Sequence, residues 1–158
     1  MTDVSCGVGK VTALALVAAG SGVVQEAIER FGRIDVLVDD AGVGSPGGVE
    51  ETRVEQVRAV FDCNVFGVRR SVTAVLSRLR ARKYGCVISI SSVLGFMSQP
   101  CMAVHAASKC AIEGYSESLD REVREHGIRS ILVEPACTRT GFEAGSAKAD
   151  TPLHAYAR

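Results

Sequence analysis

Ile34-Asp35-Val36-Leu37-Val38-Asp39-Asp40-Ala41-Gly42 is the stretch on which the fold turns. A short apolar run rich in β-branched residues, closed by two aspartates and a small-residue turn, reads as a buried strand whose carboxyl end opens into a loop. Two further runs have the same character, Cys86-Val87-Ile88-Ser89-Ile90 and Ile128-Arg129-Ser130-Ile131-Leu132-Val133. Between the first and the second, Val54, Val57, Phe61, Val65, Val68, Val72, Val75 and Leu79 recur three or four residues apart. That is the period of one long amphipathic helix, and Thr52-Arg53-Val54-Glu55 places a capping-box pattern at its start. A second helical pattern runs from about residue 103 to 125 and stops at Gly127, with the third strand following at once. Strand, helix, strand, helix, strand predicts an α/β fold: a three-layer, Rossmann-like parallel sheet with right-handed crossovers and helices on both faces.

The N-terminal third departs from this alternation. Residues 11–19 and 23–31 both read as helical and are separated only by Gly20-Ser21-Gly22. A βαβ unit needs roughly 30 residues, so that junction cannot contain one. Only Met1 to Val4 precede the glycine-rich start, too few for a full strand. No full strand is therefore expected ahead of the helix over residues 23–31.

Composition bounds the partners. The 158 residues carry 18 Lys+Arg against 18 Asp+Glu, 47% hydrophobic and 23% charged residues, which predicts one domain over residues 1–158. Zero net charge argues against a nucleic-acid partner. The longest apolar run, residues 13–20, is less than half of the roughly 20 residues that a bilayer requires, and no leader pattern precedes it. The expectation is a cytoplasmic protein with no membrane partner. Six cysteines stand without a Cys-x-x-Cys pair or a Cys/His cluster, which predicts reduced thiols and no metal. Arg78, Arg80, Arg82 and Lys83 crowd the end of the long helix, where cations complement its dipole. Met97 and Met102 read as apolar lining of a substrate pocket, and residues 46–48 and 141–150 as loops.

Several short motifs fall where a parallel sheet collects its ligands. Gly7-Val8-Gly9 leads into the first helix, whose amino end could receive a pyrophosphate. Ile90-Ser91-Ser92-Val93, His105-Ala106-Ala107-Ser108-Lys109 and Glu134-Pro135-Ala136-Cys137-Thr138-Arg139-Thr140 lie just beyond strand ends or at a helix start. The topology makes them converge.

In the order and spacing of these motifs the chain resembles the short-chain dehydrogenase/reductase family, over residues 23–142. The family's Asn-Asn-Ala-Gly turn corresponds to Asp39-Asp40-Ala41-Gly42, its catalytic asparagine to Asn64 and its catalytic serine to Ser92. Its Tyr-x-x-x-Lys pair aligns with His105 and Lys109, at the family's interval from the serine (105 − 92 = 13). Its Pro-Gly segment, which passes under the nicotinamide, is Pro135-Ala136, followed by Thr140 at a position that touches the cofactor's amide. The glycine-rich turn aligns with Thr2-Asp3-Val4-Ser5-Cys6-Gly7-Val8-Gly9.

What the resemblance implies is hydride transfer between NAD or NADP and a small or medium, fairly apolar alcohol or ketone. Asn64, Ser92, His105 and Lys109 would be the catalytic set, and Gly7, Gly9, Asp40, Ala41, Gly42, Lys109, Pro135, Ala136 and Thr140 would bind the cofactor. It also implies pairing of copies through the helices over residues 52–83 and 103–125. Four substituted positions weaken the expected activity. Histidine replaces the proton-exchanging tyrosine, an aspartate replaces a glycine at position 3, and Asp39 and Asp40 replace asparagines where the turn would approach an anionic cofactor. Against a complete member of that family, the several N-terminal strands that carry the adenosine end and the choice between NAD and NADP have no counterpart here, nor does the last strand, so the resemblance implies a Rossmann-like sheet lacking them. Activity is therefore expected to be weak or lost, with a catalytically silent, helix-pairing relative of the active enzymes as the alternative.

Overall fold

The structure is a computed structural model and describes residues 21–136, 146 and 148–156. Gly7, Gly9, Thr140 and the helix read over residues 11–19 lie outside the described residues. The elements are α1 (Ser21–Phe31), β1 (Val36–Asp39), α2 (Val54–Phe61), a π-turn (Asp62–Phe66), α3 (Gly67–Arg82), β2 (Gly85–Ile90), α4 (Ala103–Val123) and β3 (Ile128–Val133). The three strands pair in parallel in the order β1-β2-β3, with Leu37 opposite Val87 and Val87 opposite Ser130. This is the expected α/β arrangement, a parallel sheet flanked by helices.

Pleating divides the strand residues. Leu37, Val87 and Ile128 turn to the face covered by α3 and α4, where Val68, Val72, Val75, Leu79, Ile112, Leu119 and Val123 complete one core. Val24 and Ile28 of α1 join the same cluster. Val36, Ile131 and Val133 are among the exposed apolar residues, at 50%, 44% and 41%.

Two features of the long helix differ from the sequence expectation. Thr52 is not its cap: α2 starts at Val54 with Arg53 as N-cap and no side-chain capping bond. The Thr52 hydroxyl instead donates to Gly48 O at 3.2 Å, and Glu51 is the carboxylate that accepts the Gly48 N–H, at 2.5 Å. Glu51 also accepts the Leu153 N–H at 2.7 Å, so a tertiary contact outbids the local pattern. The helix is also interrupted by the π-turn, which Arg70 braces through Asp62 Oδ1 at 3.0 Å and Asp62 O at 3.1 Å.

The helix ends are fastened to the sheet. Arg82 donates to Ile34 O at 3.0 Å and pairs with Asp35, while Arg78 reaches Gln25 on α1 at 2.9 Å, so these cations act as tethers as well as lying near a dipole. α4 runs through a 3₁₀ turn (Arg124–His126) to Gly127, where φ is 72°. Asp120 accepts the Ser130 N–H and Arg129 Nε, both at 3.0 Å, and these bonds hold its carboxyl down at about 2.

Candidate active site

The chemically capable side chains gather at the carboxyl end of the sheet. β1 runs out into residues 40–48, β2 into Ser91 and Ser92, and β3 into Glu134 and Pro135. Cross-links hold these exits together: Ser91 N–H donates to Val133 O at 2.8 Å, and Val93 N–H to Pro135 O at 3.2 Å.

Asn64 sits in the π-turn and is 2% exposed. Its amide clamps the backbone of Val43 from both sides: Oδ1 accepts the Val43 N–H at 2.8 Å and Nδ2 donates to Val43 O at 3.0 Å. Nδ2 also donates to Ser108 Oγ at 3.0 Å, and the Ser108 hydroxyl donates to His105 O at 2.7 Å. A π-turn inserts one residue into the helical repeat and is frequent at functional sites. Here the widened turn carries Asn64.

His105 and Lys109 stand four residues apart on one face of α4, as their spacing requires. Both are buried. Lys109 Nζ donates to Ile90 O at 2.8 Å, linking the helix to the end of β2. Burial pulls its pKa down, and the negative charge of Asp40 opposes that shift. His105 Nδ1 lies 3.3 Å from Val43 O, an acceptor, so this nitrogen carries the proton and Nε2 is the basic one. Burial first, and the Lys109 ammonium second, hold the imidazole pKa below its ordinary value. The ring is therefore neutral near pH 7.

Ser92 caps the short turn Val93–Gly95, its hydroxyl oxygen accepting the Leu94 N–H at 3.2 Å. The structure thus joins Asn64, His105 and Lys109 through Val43 and Ile90, and places Ser92 two residues beyond Ile90 on the same strand exit. Asp39 departs from its expected position beside a cofactor. Its side chain turns toward α3 and accepts the Ser71 hydroxyl at 2.6 Å, and burial raises its carboxyl to about 7. Asp40 remains beside Lys109.

The described residues fit the nicotinamide-ribose half of the expected cofactor. A Cβ on Gly42 would stand 3.5 Å from Asn64 Oδ1 and 3.6 Å from Lys109 Nζ, so the glycine keeps a strip of backbone open between them. An ammonium has three donors, and Lys109 commits one to Ile90 O. Pro135 and Ala136 lie at the exit of β3, cross-linked to the Ser92 turn. Among the described residues no cluster of three or more His, Cys, Asp or Glu could hold a metal, and no helix is long and apolar enough to cross a membrane. A hollow of about 300 Å³ lined by Ile28, Ile34, Val75 and Leu79 lies at the opposite end of β1 from this chemistry.

The sequence reading passed over Ser108 and Glu113. Ser91 donates a hydrogen bond to Glu113, which follows Lys109 by one helical turn. That spacing was the available signal.

The family profile described as short chain dehydrogenase matches residues 17–151. A 3-ketodihydrosphingosine reductase from Bacteroides thetaiotaomicron is 40% identical over 139 residues, which cover 85% of this chain and 52% of that protein. Human retinol dehydrogenase 8 is 42% identical over 112 residues, covering 71% of this chain and 36% of that protein. Among solved structures, a short-chain dehydrogenase from Streptomyces avermitilis superposes with a TM-score of 0.81 at 34% identity, over 98% of this chain and 54% of that one. An NAD+-bound xylitol dehydrogenase gives 0.75 at 27% identity, over 80% of this chain and 49% of that one. The chain spans about half the length of the first curated relatives it matches.

Proposed function

The chain belongs to the short-chain dehydrogenase family, and from that membership we propose that it carries the reacting half of an NAD(P)-dependent oxidoreductase acting on a fairly apolar alcohol or ketone. The observation that carries this reading is the convergence of Asn64, His105 and Lys109 on Val43 and Ile90, beside the exit to Ser92. A bound nicotinamide would accept or give the hydride. Lys109, Gly42 and the Pro135-Ala136 segment would hold it, with Asp40 and Ala41 shaping the turn. The Ser92 hydroxyl would hold the substrate oxygen, and His105 Nε2 would take its proton.

A neutral, buried imidazole is suited to act as a base and poorly suited to act as an acid. Alcohol oxidation is therefore the favoured direction. Replacing a well-matched acid/base group costs about 10²–10⁴ in rate, so turnover is slow. Relatives named for a ketone and for an alcohol support the substrate class. The working location in this reading is the cytoplasm, with copies paired through the helices over residues 52–83 and 103–125.

The test is the absorbance of reduced cofactor formed when the purified chain meets NAD+ or NADP+ and a medium-chain secondary alcohol. Slow, saturable production that disappears in Ser92→Ala supports the reading. Absence of any turnover at millimolar cofactor overturns it. One observation favours a second reading, a catalytically silent helix-pairing partner: His105 is only 3% exposed and turns a ring nitrogen to Val43 O.

A further inference from the structure

Behind Ser92 lies a polar cluster to which the reaction scheme assigns no role. Glu113 projects from α4 one turn beyond Lys109 and accepts a hydrogen bond from the hydroxyl of Ser91, the residue next to Ser92. Its carboxyl also approaches the turn that follows Ser92. A Cβ added to Gly95 would stand 2.8 Å from Glu113 Oε1 and 3.1 Å from Ser91 Oγ, so any side chain there would push on this carboxyl. The same turn is held a second time, by Cys110 Sγ, which lies 2.7 Å from Gly95 O. The negative charge of Glu134, next to the Pro135 whose carbonyl accepts the Val93 N–H, is felt by Glu113 from the β3 exit.

We propose that Glu113 is a positioning residue for the reaction: by holding Ser91, it fastens the Ser92 turn to the helix that carries His105 and Lys109. The inference rests on the oxidoreductase reading for its kinetic consequence, and on geometry alone for the fastening. The alignment of Ser92 with His105 depends on two separate chain segments, the exit of β2 and α4. Among the described residues the Ser92 hydroxyl has one local bond, accepted from the Leu94 N–H. A group bridging those segments sets their distance, and Glu113 reaches from one to the other directly.

Burial, and then the neighbouring Glu134 charge, push the Glu113 carboxyl upward while the Ser91 hydroxyl pulls it down. The carboxyl accepts from Ser91 whether or not it is charged. Glutamine keeps that acceptor oxygen without a charge. The bridge therefore survives Glu113→Gln and is lost in Glu113→Ala.

The experiment compares Glu113→Gln, Glu113→Ala, Ser91→Ala and the control Glu117→Ala, whose carboxylate makes an exposed pair with Arg121. Backbone hydrogen exchange over residues 91–97 reads the fastening, and kcat and KM for alcohol oxidation read its kinetic effect. Glu113→Ala and Ser91→Ala should speed exchange over 91–97 by roughly tenfold, the loss of one strong hydrogen bond. They should lower kcat about as much while leaving KM for the cofactor within about twofold. Glu113→Gln should recover most of kcat, and Glu117→Ala should change neither readout. Unchanged exchange in both alanine variants overturns the proposal, as does a glutamine variant as impaired as alanine. Should Glu113→Ala fail to fold, Ser91→Ala removes the same bond from the other end and decides alone. If the parent chain shows no turnover, the oxidoreductase reading fails, and exchange over 91–97 still decides whether Glu113 fastens the turn.

Discussion

Ser71 on α3 donates a 2.6 Å hydrogen bond to Asp39 Oδ1 at the last residue of β1, and Asp39 Oδ2 has no partner among the described residues. Asp39 sits in register with Ser89, whose buried hydroxyl likewise has no partner there. A carboxyl in this setting is expensive to ionise.

Stability should fall as pH rises from about 3.8 to about 7 and then level off. An unfolded aspartate loses its proton near 3.8, whereas Asp39 keeps its own to about 7. Between those values the folded chain binds the extra proton, so stability declines with rising pH across that window and is lowest above it. Each pKa unit corresponds to about 1.4 kcal/mol, and partial exposure reduces the total to roughly 2 kcal/mol. Asp39→Asn should abolish this decline and stabilise the chain by that amount at about pH 8. Urea denaturation of both proteins at about pH 5 and pH 8 checks it, and an equal slope in the variant refutes the assignment.

On the proposed oxidoreductase reading, His105 should set the lower limb of the rate profile. Its active form as a base is neutral, and its pKa lies below 6.5, so kcat/KM for alcohol oxidation should rise to a plateau through an inflection below that value. His105→Gln should remove the inflection and lower the rate by about 10²–10⁴. His105→Tyr should recover little, because a longer phenol must enter a position that is 3% exposed and packed against Val43 O. An inflection above 6.5, or full recovery by tyrosine, contradicts this account.

Asn64 is a structural clamp before it is anything else. Asn64→Ala leaves the Val43 N–H, the Val43 carbonyl and the Ser108 hydroxyl without their amide partner. Orphaning buried polar groups costs about 1–3 kcal/mol each, so the variant should lose roughly 3 kcal/mol. Asn64→Asp should fare little better, since a carboxylate cannot donate to Val43 O. A loss below about 1 kcal/mol in equilibrium denaturation would show that the clamp contributes little.

Gly127 combines a left-handed backbone with a close approach. Its φ is 72°, and a Cβ there would stand 2.1 Å from Lys83 O. Gly127→Ala must move the turn between α4 and β3 and should cost about 3 kcal/mol. A melting temperature unchanged from the parent would exclude this contact.

The sheet was legible because its signals are local. Runs beginning at Ile34, Cys86 and Ile128 locate strands that end within one residue of the expected places, and Gly127 marks the stop of α4. The pairing of His105 with Lys109 followed from helical spacing alone. The π-turn left no trace in the sequence, because apolar residues at Phe61, Val65 and Val68 fit an ordinary helix equally well. The true start of α2 was hidden for another reason: Glu51 answers to Leu153, about a hundred residues downstream, and local pattern cannot register that contact. Asp39 was misplaced because a side chain's direction depends on strand pleat, which shifts with a register that only pairing fixes.

The widened turn at Asp62–Phe66 also makes the two halves of the long helix independent in phase. Excising one residue from it would restore a regular spiral and rotate α2 by about 100° against α3. The apolar stripe of α2 would swing off its neighbours while α3 stayed docked. A single-codon deletion there should therefore be far more harmful than one among the exposed residues 98–100, although both shorten the chain equally.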